Sequence, residues 1–374
     1  MSQEYSVINR EVPSRKVIIN NIIVYGIAHG LVDAACAAVI FINVFNKTME
    51  MKYLVPIIVL YNILAFALQA PFGFIADTIR RPIETAVSGC ILIVFSLIIY
   101  KWTAAAICIA GLGNALFHVG GGIVALNLKP GKASMPGIYV APGALGLLIG
   151  TLVGKSGTFR EWPFILLLIA ASVIMVLLES PKVDYCTEAK VKCEKFHLIL
   201  LLILTSIAIR ALVGFMLNYP WKSNVYLLFA FTLAVVLGKA LGGILADRFG
   251  WLVVTVSGLL VAAPLLAFGG SYSYLAILGV FLFNLTMPVT MTVTANMFPG
   301  RAGFAFGLTT LALIIGAFPT FTSMNTMFVY DNKWLVLSII LFMAFILYKG
   351  LKFYSKKETY ISRLESNNTK AFKE

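Results

Sequence analysis

An imidazole and a carboxylate stand one helical turn apart at His29 and Asp33, inside the first long apolar stretch, Gly26-Ile-Ala-His29-Gly-Leu-Val-Asp33. Side chains spaced i, i+4 on a helix leave the same face. A carboxylate turned toward hydrocarbon costs about 3 kcal/mol or more, so that face must look into protein or into a watery cavity. An acid beside an imidazole can take up and release a proton there. A second polar pair with the same spacing, Asn114 and His118, falls in the fourth apolar stretch. Arg210 lies about 13 residues into the seventh, roughly 20 Å from its start at 1.5 Å per residue. No guanidinium snorkels that far, and one held at that depth needs an anion. Asp33 is the only acid in the middle of any apolar stretch, so the two are expected to pair. Lys239 lies about 12 Å from the end of its stretch, where it has three outlets: the interface, Asp77 or Asp247, or a bound solute.

Composition says where such helices must lie. The chain is 60% hydrophobic and 12% charged, with a mean hydropathy of +0.92, whereas a soluble domain carries about 25% charged residues. Twelve apolar stretches fall at 18–45, 53–75, 83–101, 103–128, 133–154, 162–179, 197–219, 223–246, 250–269, 272–297, 302–324 and 333–354. Each is long enough to cross a bilayer as a helix. They are continuous rather than alternating, which excludes a membrane barrel. The first lacks a small-x-small exit and is expected to stay as a span. Twelve crossings return both termini to one side. That side carries 20 Lys and Arg against 7 on the other, so both termini are expected in the cytoplasm of a multi-pass protein of the plasma or inner membrane. The net charge of +13 is then a topology signal, not a nucleic-acid footprint. Cys36, Cys90 and Cys108 lie in apolar stretches, and the C-x6-C spacing of Cys186 and Cys193 fits no common zinc pattern. Free thiols in a reducing compartment are expected, with no metal and no cofactor.

The two halves of the chain repeat. Gly73-Phe-Ile-Ala-Asp77 matches Gly243-Ile-Leu-Ala-Asp247 at an offset of 170, and Asn114 matches Asn284 at the same offset. Asn127-Leu-Lys-Pro130-Gly131-Lys132-Ala133 matches Asn296-Met-Phe-Pro299-Gly300-Arg301-Ala302 at 169. Parallel repeats of this kind mark membrane transporters. The expected organisation is an N-terminal six-helix bundle at 1–181, a cytoplasmic linker at 182–196, a C-terminal six-helix bundle at 197–354 and a cytoplasmic tail at 355–374. In the repeated loops, Gly73 and Gly243 let helices approach closely. Asp77 and Asp247 can face the positive N-terminus of a neighbouring helix. Together with Arg81 and Arg248 they are expected to form a conformational gate.

These loops resemble those of the major facilitator superfamily, Gly-x-Leu-Ala-Asp-Arg-x-Gly-Arg-Arg/Lys, and the resemblance covers the whole chain. The first copy departs at Thr78 and Arg80, the second at Trp251. His29 and Asp33, Gly111-Leu-Gly113-Asn-Ala-Leu-Phe117-His118, and Pro299-Gly300-Arg301-Ala302-Gly303-Phe-Ala305-Phe-Gly307 resemble the fosmidomycin-resistance-like subgroup, with a departure at Val119. The resemblance implies an all-α fold of twelve transmembrane helices in two pseudo-symmetric bundles. It also implies that spans 1, 4, 7 and 10 line a central cavity, which would bring together His29, Asp33, Asn114, His118, Arg210, Asn284 and Thr286. Gly137, Pro142, Gly143, Gly146 and Gly150 crowd span five, consistent either with the pliable helix of exchangers or with plain close packing.

The expected function is secondary active transport of a small organic anion or zwitterion by alternating access, coupled to protons and directed outward. Arg210, His118, Asn114, Asn284, Lys239 and Thr286 would bind the solute, and Asp33 and His29 would carry the proton. Solute arriving at Arg210 would displace Asp33 and free it to protonate. A uniporter or importer of a metabolite, or a lipid-flipping protein of the same fold, are the alternatives. Gly150-x3-Gly154-Lys155-Ser156 lacks the spacing of a phosphate loop, so a gradient is the expected energy source. No catalytic cluster lies near an interface, and enzyme activity is not expected. The expected partners are the solute, protons and the bilayer, with no nucleic acid, and the protein is expected to be a monomer.

Overall fold

Hydrocarbon offers no hydrogen bonds, so a chain crossing it must satisfy its backbone within helices or a closed barrel. The computed structural model describes residues 13–47, 50–157, 159–186, 195–321 and 332–371, and of 320–321 and 356–371 the backbone alone. Among these residues all regular structure is helical. The start of the N-terminal arm, residues 187–194 of the linker with Cys193, and residues 322–324 of the expected eleventh span lie outside them.

The helices run α1 Arg15–Phe45, α2 Met51–Asn62, α3 Gln69–Ile79, α4 Pro82–Ile98, α5 Thr103–Leu128, α6 Ser134–Lys155 and α7 Trp162–Leu177. Then follow α8 Phe196–Met216, α9 Val225–Phe249, α10 Trp251–Phe268, α11 Ser273–Asn284, α12 Thr286–Met297, α13 Ala302–Ala317 and α14 Lys333–Ala371. A π-helical turn, Ile63–Ala67, joins α2 and α3 into one apolar stretch, Met51–Ile79. Nine described helical stretches are long and apolar enough to cross a membrane, and α4, α7 and α13 are shorter apolar helices. Together they are the twelve stretches read from the sequence. The protein is an all-helical integral membrane protein.

Local chemistry sets the ends. Ser14 Oγ accepts from the Val17 amide at the start of α1, and Asn224 Oδ1 accepts from Tyr226 and Leu227 at the start of α9. Arg80 closes α3 in the left-handed region at φ 62°, and Pro82 opens α4 in its first turn. The repeated Pro-Gly turns take the same shape, with φ of 76° at Gly131 and 68° at Gly300. Pro288 has no amide hydrogen for the Asn284 carbonyl, and the tenth span breaks at Leu285.

One hydrophobic core is built almost wholly from α1 to α7 around Tyr25, Phe117 and Tyr139. The other is built almost wholly from α8 to α14 around Ile203, Phe283 and Leu347, with Ala133 from the first half. Within the first, α6 lies tightly on α1: a Cβ at Gly146 or Gly150 would run into the carbonyls of Gly30 and Ala34. Those two glycines therefore serve close packing.

Candidate functional site

At one end of the molecule the repeated loops clasp the opposite half. Asp77, in the last turn of α3, accepts from the backbone amides of Gly303 and Phe304 at 3.0 and 2.9 Å, at the N-terminus of α13. Asp247, near the end of α9, accepts from Ala133 and Ser134 at 3.0 and 2.9 Å, at the N-terminus of α6. Each carboxylate meets the positive end of a helix dipole with two charge-assisted bonds. The glycines fit the same symmetry: a Cβ on Gly73 would strike the Gly303 carbonyl, and one on Gly243 the Ala133 carbonyl. The arginines differ from expectation. Arg81 and Arg248 are exposed, and Arg248 lies over the ring of its neighbour Phe249 at 5.3 Å. The cation that crosses the clasp is Arg301, bonded to Thr78 Oγ1 at 3.0 Å and 4.8 Å from the Phe74 ring. Arg80 sits 5.5 Å from the ring of Tyr185 in the linker, whose phenol is pushed up to about 12 by burial.

The turn that carries His29 and Asp33 packs on α5 near the centre of the first half. His29 Nε2 lies 3.3 Å from Asp33 Oδ2 and 3.1 Å from His118 Nε2. His118 Nε2 lies 3.6 Å from Asp33 Oδ1, and Asn114 Nδ2 donates to that oxygen at 3.2 Å. The ring of His118 is fixed at its other nitrogen, where Nδ1 is 2.8 Å from the Asn114 carbonyl. A carbonyl only accepts, so Nδ1 carries the hydrogen and Nε2 of neutral His118 is a lone pair. The hydrogen on His29 Nε2 then lies between two acceptors, and His29 Nδ1 is buried without a partner. The cluster thus holds two imidazole lone pairs that can take a proton, His118 Nε2 beside Asp33 and the unpartnered His29 Nδ1. Gly143 of α6 makes room for it, since a Cβ there would come within 2.5 Å of both His29 Nε2 and Asp33 Oδ2. These three side chains are also the one set among the described residues close enough to share a metal ion, with donor atoms within 4.8 Å of one another.

His29, Asp33 and His118 face a cavity of about 430 Å³ between the two halves, and Arg210, Lys239 and Asn284 line its other wall. The expected Asp33–Arg210 pair is not made. Among the described residues no carboxylate lies within 4.0 Å of Arg210 or Lys239, and Arg210 Nε is buried without a hydrogen bond. The reason is local: the turn before Asp33 and the facing turn of α5 occupy both its oxygens on its own side of the cavity. Lys239 reaches neither Asp77, whose hydrogen-bond partners are backbone amides, nor Asp247, which accepts from backbone amides and from the Trp251 indole at 3.0 Å.

Two further residues differ from expectation. Asn114 supports the Asp33 cluster from behind instead of lining the cavity. Thr286 is buried away from it, with its hydroxyl on the Phe283 carbonyl at 3.1 Å, because the break at Leu285 shifts the register of the tenth span. Thr232, Thr290, Thr309 and Thr310 also line the cavity, and a threonine in an apolar helix carries no spacing signal that would mark it in the sequence. The lined region runs from mid-helix away from the clasps, toward Leu217 and Phe231. There Lys222 donates to the Leu217 carbonyl and lies 3.9 Å from the Phe231 ring, and burial pushes its ammonium down to about 8.

No family model matches the chain. An uncharacterized MFS-type transporter of Bacillus subtilis (strain 168), YfnC, is 40% identical over 97 residues, which is 24% of this chain and 24% of that protein. The chain therefore matches about a quarter of the length of this curated relative. Solved structures match much more broadly. The E. coli fucose:proton symporter FucP superposes with a TM-score of 0.64 at 13% identity, covering 88% of this chain and 98% of that one. The human organic anion transporter MFSD10 gives 0.67 at 12%, covering 90% and 99%. A bacterial homologue of the iron transporter ferroportin, in an outward-facing state, gives 0.64 at 14%, covering 90% and 99%. Likeness at these identities is likeness of fold: the chain has the major facilitator fold, and the proteins it resembles are transporters, not enzymes.

Proposed function

We propose that the protein is a proton-coupled secondary transporter of a small organic anion or zwitterion, working by alternating access. The observation that carries this reading is the cavity between the halves. One wall holds a carboxylate already engaged by two histidines, the other holds two cations without partners, and the clasps close one end. Arg210 and Lys239 bind the solute, with Asn284 beside them, and His118 belongs to both solute and proton paths. Asp33 and His29 hold the proton. Asp77 and Asp247, with Gly73 and Gly243, hold the closed end shut until the halves rock. The bias of 20 basic residues to 7 supports a cytoplasmic position for the clasps and both termini. The His-x-x-x-Asp turn and the Gly-x-Gly-x-Ala-x-Phe-His run support kinship with fosmidomycin-resistance-like carriers.

Proton–solute exchange, the sense expected from the sequence, needs the proton and the solute to exclude one another at the Asp33–Arg210 pair. With no such pair made, the signs favour the opposite sense. A proton on the Asp33 cluster adds positive charge to the cavity, and an anion at Arg210 adds negative charge, so each favours the other. Proton and anion then load together, and an inwardly directed proton gradient drives uptake rather than efflux. Purified protein in liposomes with an imposed pH gradient tests this with a panel of small organic anions. Accumulation on the alkaline side, abolished in Asp33→Asn while gradient-free exchange persists, is the expected result. Accumulation on the acidic side restores exchange, and equal flux with and without the gradient makes the protein a uniporter.

A further inference from the structure

We infer that the cavity is built for an amphipathic organic anion, a single acidic head on a compact apolar body, and not for a polyol or a zwitterion. This rests on the transporter reading of the same cavity and names its solute class. The argument is a count of hydrogen-bonding capacity. Thr232 donates to the Leu228 carbonyl at 2.9 Å, Thr290 to Met287 at 3.0 Å, Thr309 to Phe306 at 2.7 Å and Thr310 to Gly307 at 2.9 Å. Asn284 Nδ2 donates to the Val280 carbonyl at 2.8 Å. The threonine hydroxyls that line the cavity are thus spent on main-chain carbonyls, Thr310 also on that of Phe66 across the halves at 3.1 Å, and Asn284 spends one of its two amide hydrogens in the same way. A sugar-like solute needs many donors and acceptors at once, and leaving its hydroxyls unpaired in a buried site is costly.

Charge narrows the class further. Arg210 of α8 and Lys239 of α9 both sit on the second half and have no partner among the described residues, so an acidic head has one place to go. An ammonium has none. Among the described residues Asp33 is the only carboxylate on the cavity, and its oxygens already face His29, His118 and Asn114. Most of the remaining lining is apolar, with Phe66, Phe215, Phe231, Met287, Met291 and Leu313 around the space. Aromatic and thioether surfaces suit a flat or flexible hydrocarbon body. A volume of about 430 Å³ lies in the lower part of the usual small-molecule range.

The test uses the full-length protein and four probes of similar size: 4-phenylbutanoate, 4-phenylbutanamide, L-phenylalanine and a hexose. Binding is read by thermal shift and titration calorimetry. In parallel, counterflow of each probe is measured in proteoliposomes. Phenylbutanoate is expected to bind, and the amide at least about 100-fold more weakly, because the two charge-assisted contacts are lost. Phenylalanine and the hexose are expected not to bind. Arg210→Gln and Lys239→Gln should erase the preference for the acid over its amide. Each should also melt no lower than the unliganded parent, since an unpaired buried charge has been removed. Equal binding of acid and amide, tighter binding of phenylalanine or the hexose, or no binding by any probe to protein that melts cooperatively would overturn the solute class. If phenylbutanoate binds as expected and yet no probe exchanges across the bilayer, the class stands and the transporter reading fails.

Discussion

Neutralising both clasps should open the closed end of the molecule. Each of Asp77 and Asp247 receives two backbone amides at 2.9 to 3.0 Å. A hydrogen bond to a charged group contributes about 1.5–3 kcal/mol. Asparagine keeps one accepting oxygen but turns an NH2 toward donors and no longer answers the helix dipole. The loss is about 2 kcal/mol per clasp and about 4 kcal/mol for Asp77→Asn with Asp247→Asn, nearly a thousandfold in the ratio of closed to open. A protein that is 99% closed would then be mostly open. Spin labels at positions 81 and 248, both exposed and on opposite halves, report the separation by double electron–electron resonance in a background without native cysteines. The parent should give one short, narrow distance distribution, each single variant a mixture, and the double variant mainly a longer distance. An unchanged distribution in the double variant would refute the reasoning, because the carboxylates would then not be what holds the halves together.

Two other expectations follow from the packing. Gly73→Ala and Gly243→Ala should each shift the same distance distribution toward open without touching a charge, since the added methyl collides with a backbone carbonyl across the clasp. Gly143→Ala should cut gradient-driven flux by at least about tenfold, because its methyl lands on His29 Nε2 and Asp33 Oδ2. Passive exchange measured beside it should fall less, since Arg210 and Lys239 lie on the other wall.

The helices and the clasps were legible because their signals are periodic and doubled. Twelve apolar runs fix the class, and a Gly-x-x-x-Asp loop that recurs at a constant offset fixes which carboxylates meet helix ends. His29 with Asp33, and Asn114 with His118, were legible because four residues put both members on one helical face. What spacing along one helix does not carry is which face meets which across helices. Pairing Asp33 with Arg210 rests on elimination, on the premise that a deep cation must take the nearest deep acid. The structure gives the acid to two histidines and an asparagine on its own half and leaves the cations open. Arg301 replaced Arg81 and Arg248 at the clasp for a similar reason: the Pro299-Gly300 turn aims it across the interface, whereas the other two lie exposed. Thr286 was misplaced by a break in its helix that only Pro288 hinted at.

The central claim is that one cavity, shut at the clasped end, opens to each side of the membrane in turn. Side-specific labelling of Gly214→Cys tests it most directly, since position 214 lines the cavity and a Cβ there meets open space. With a membrane-impermeant maleimide, right-side-out and inside-out vesicles expose the two faces separately. The expected result is fast labelling from the non-cytoplasmic face and slow labelling from the cytoplasmic face, with the cytoplasmic rate rising when Asp77→Asn and Asp247→Asn are added. Equal rates from the two faces with both clasps intact, or a cytoplasmic rate unchanged in the double variant, would contradict it.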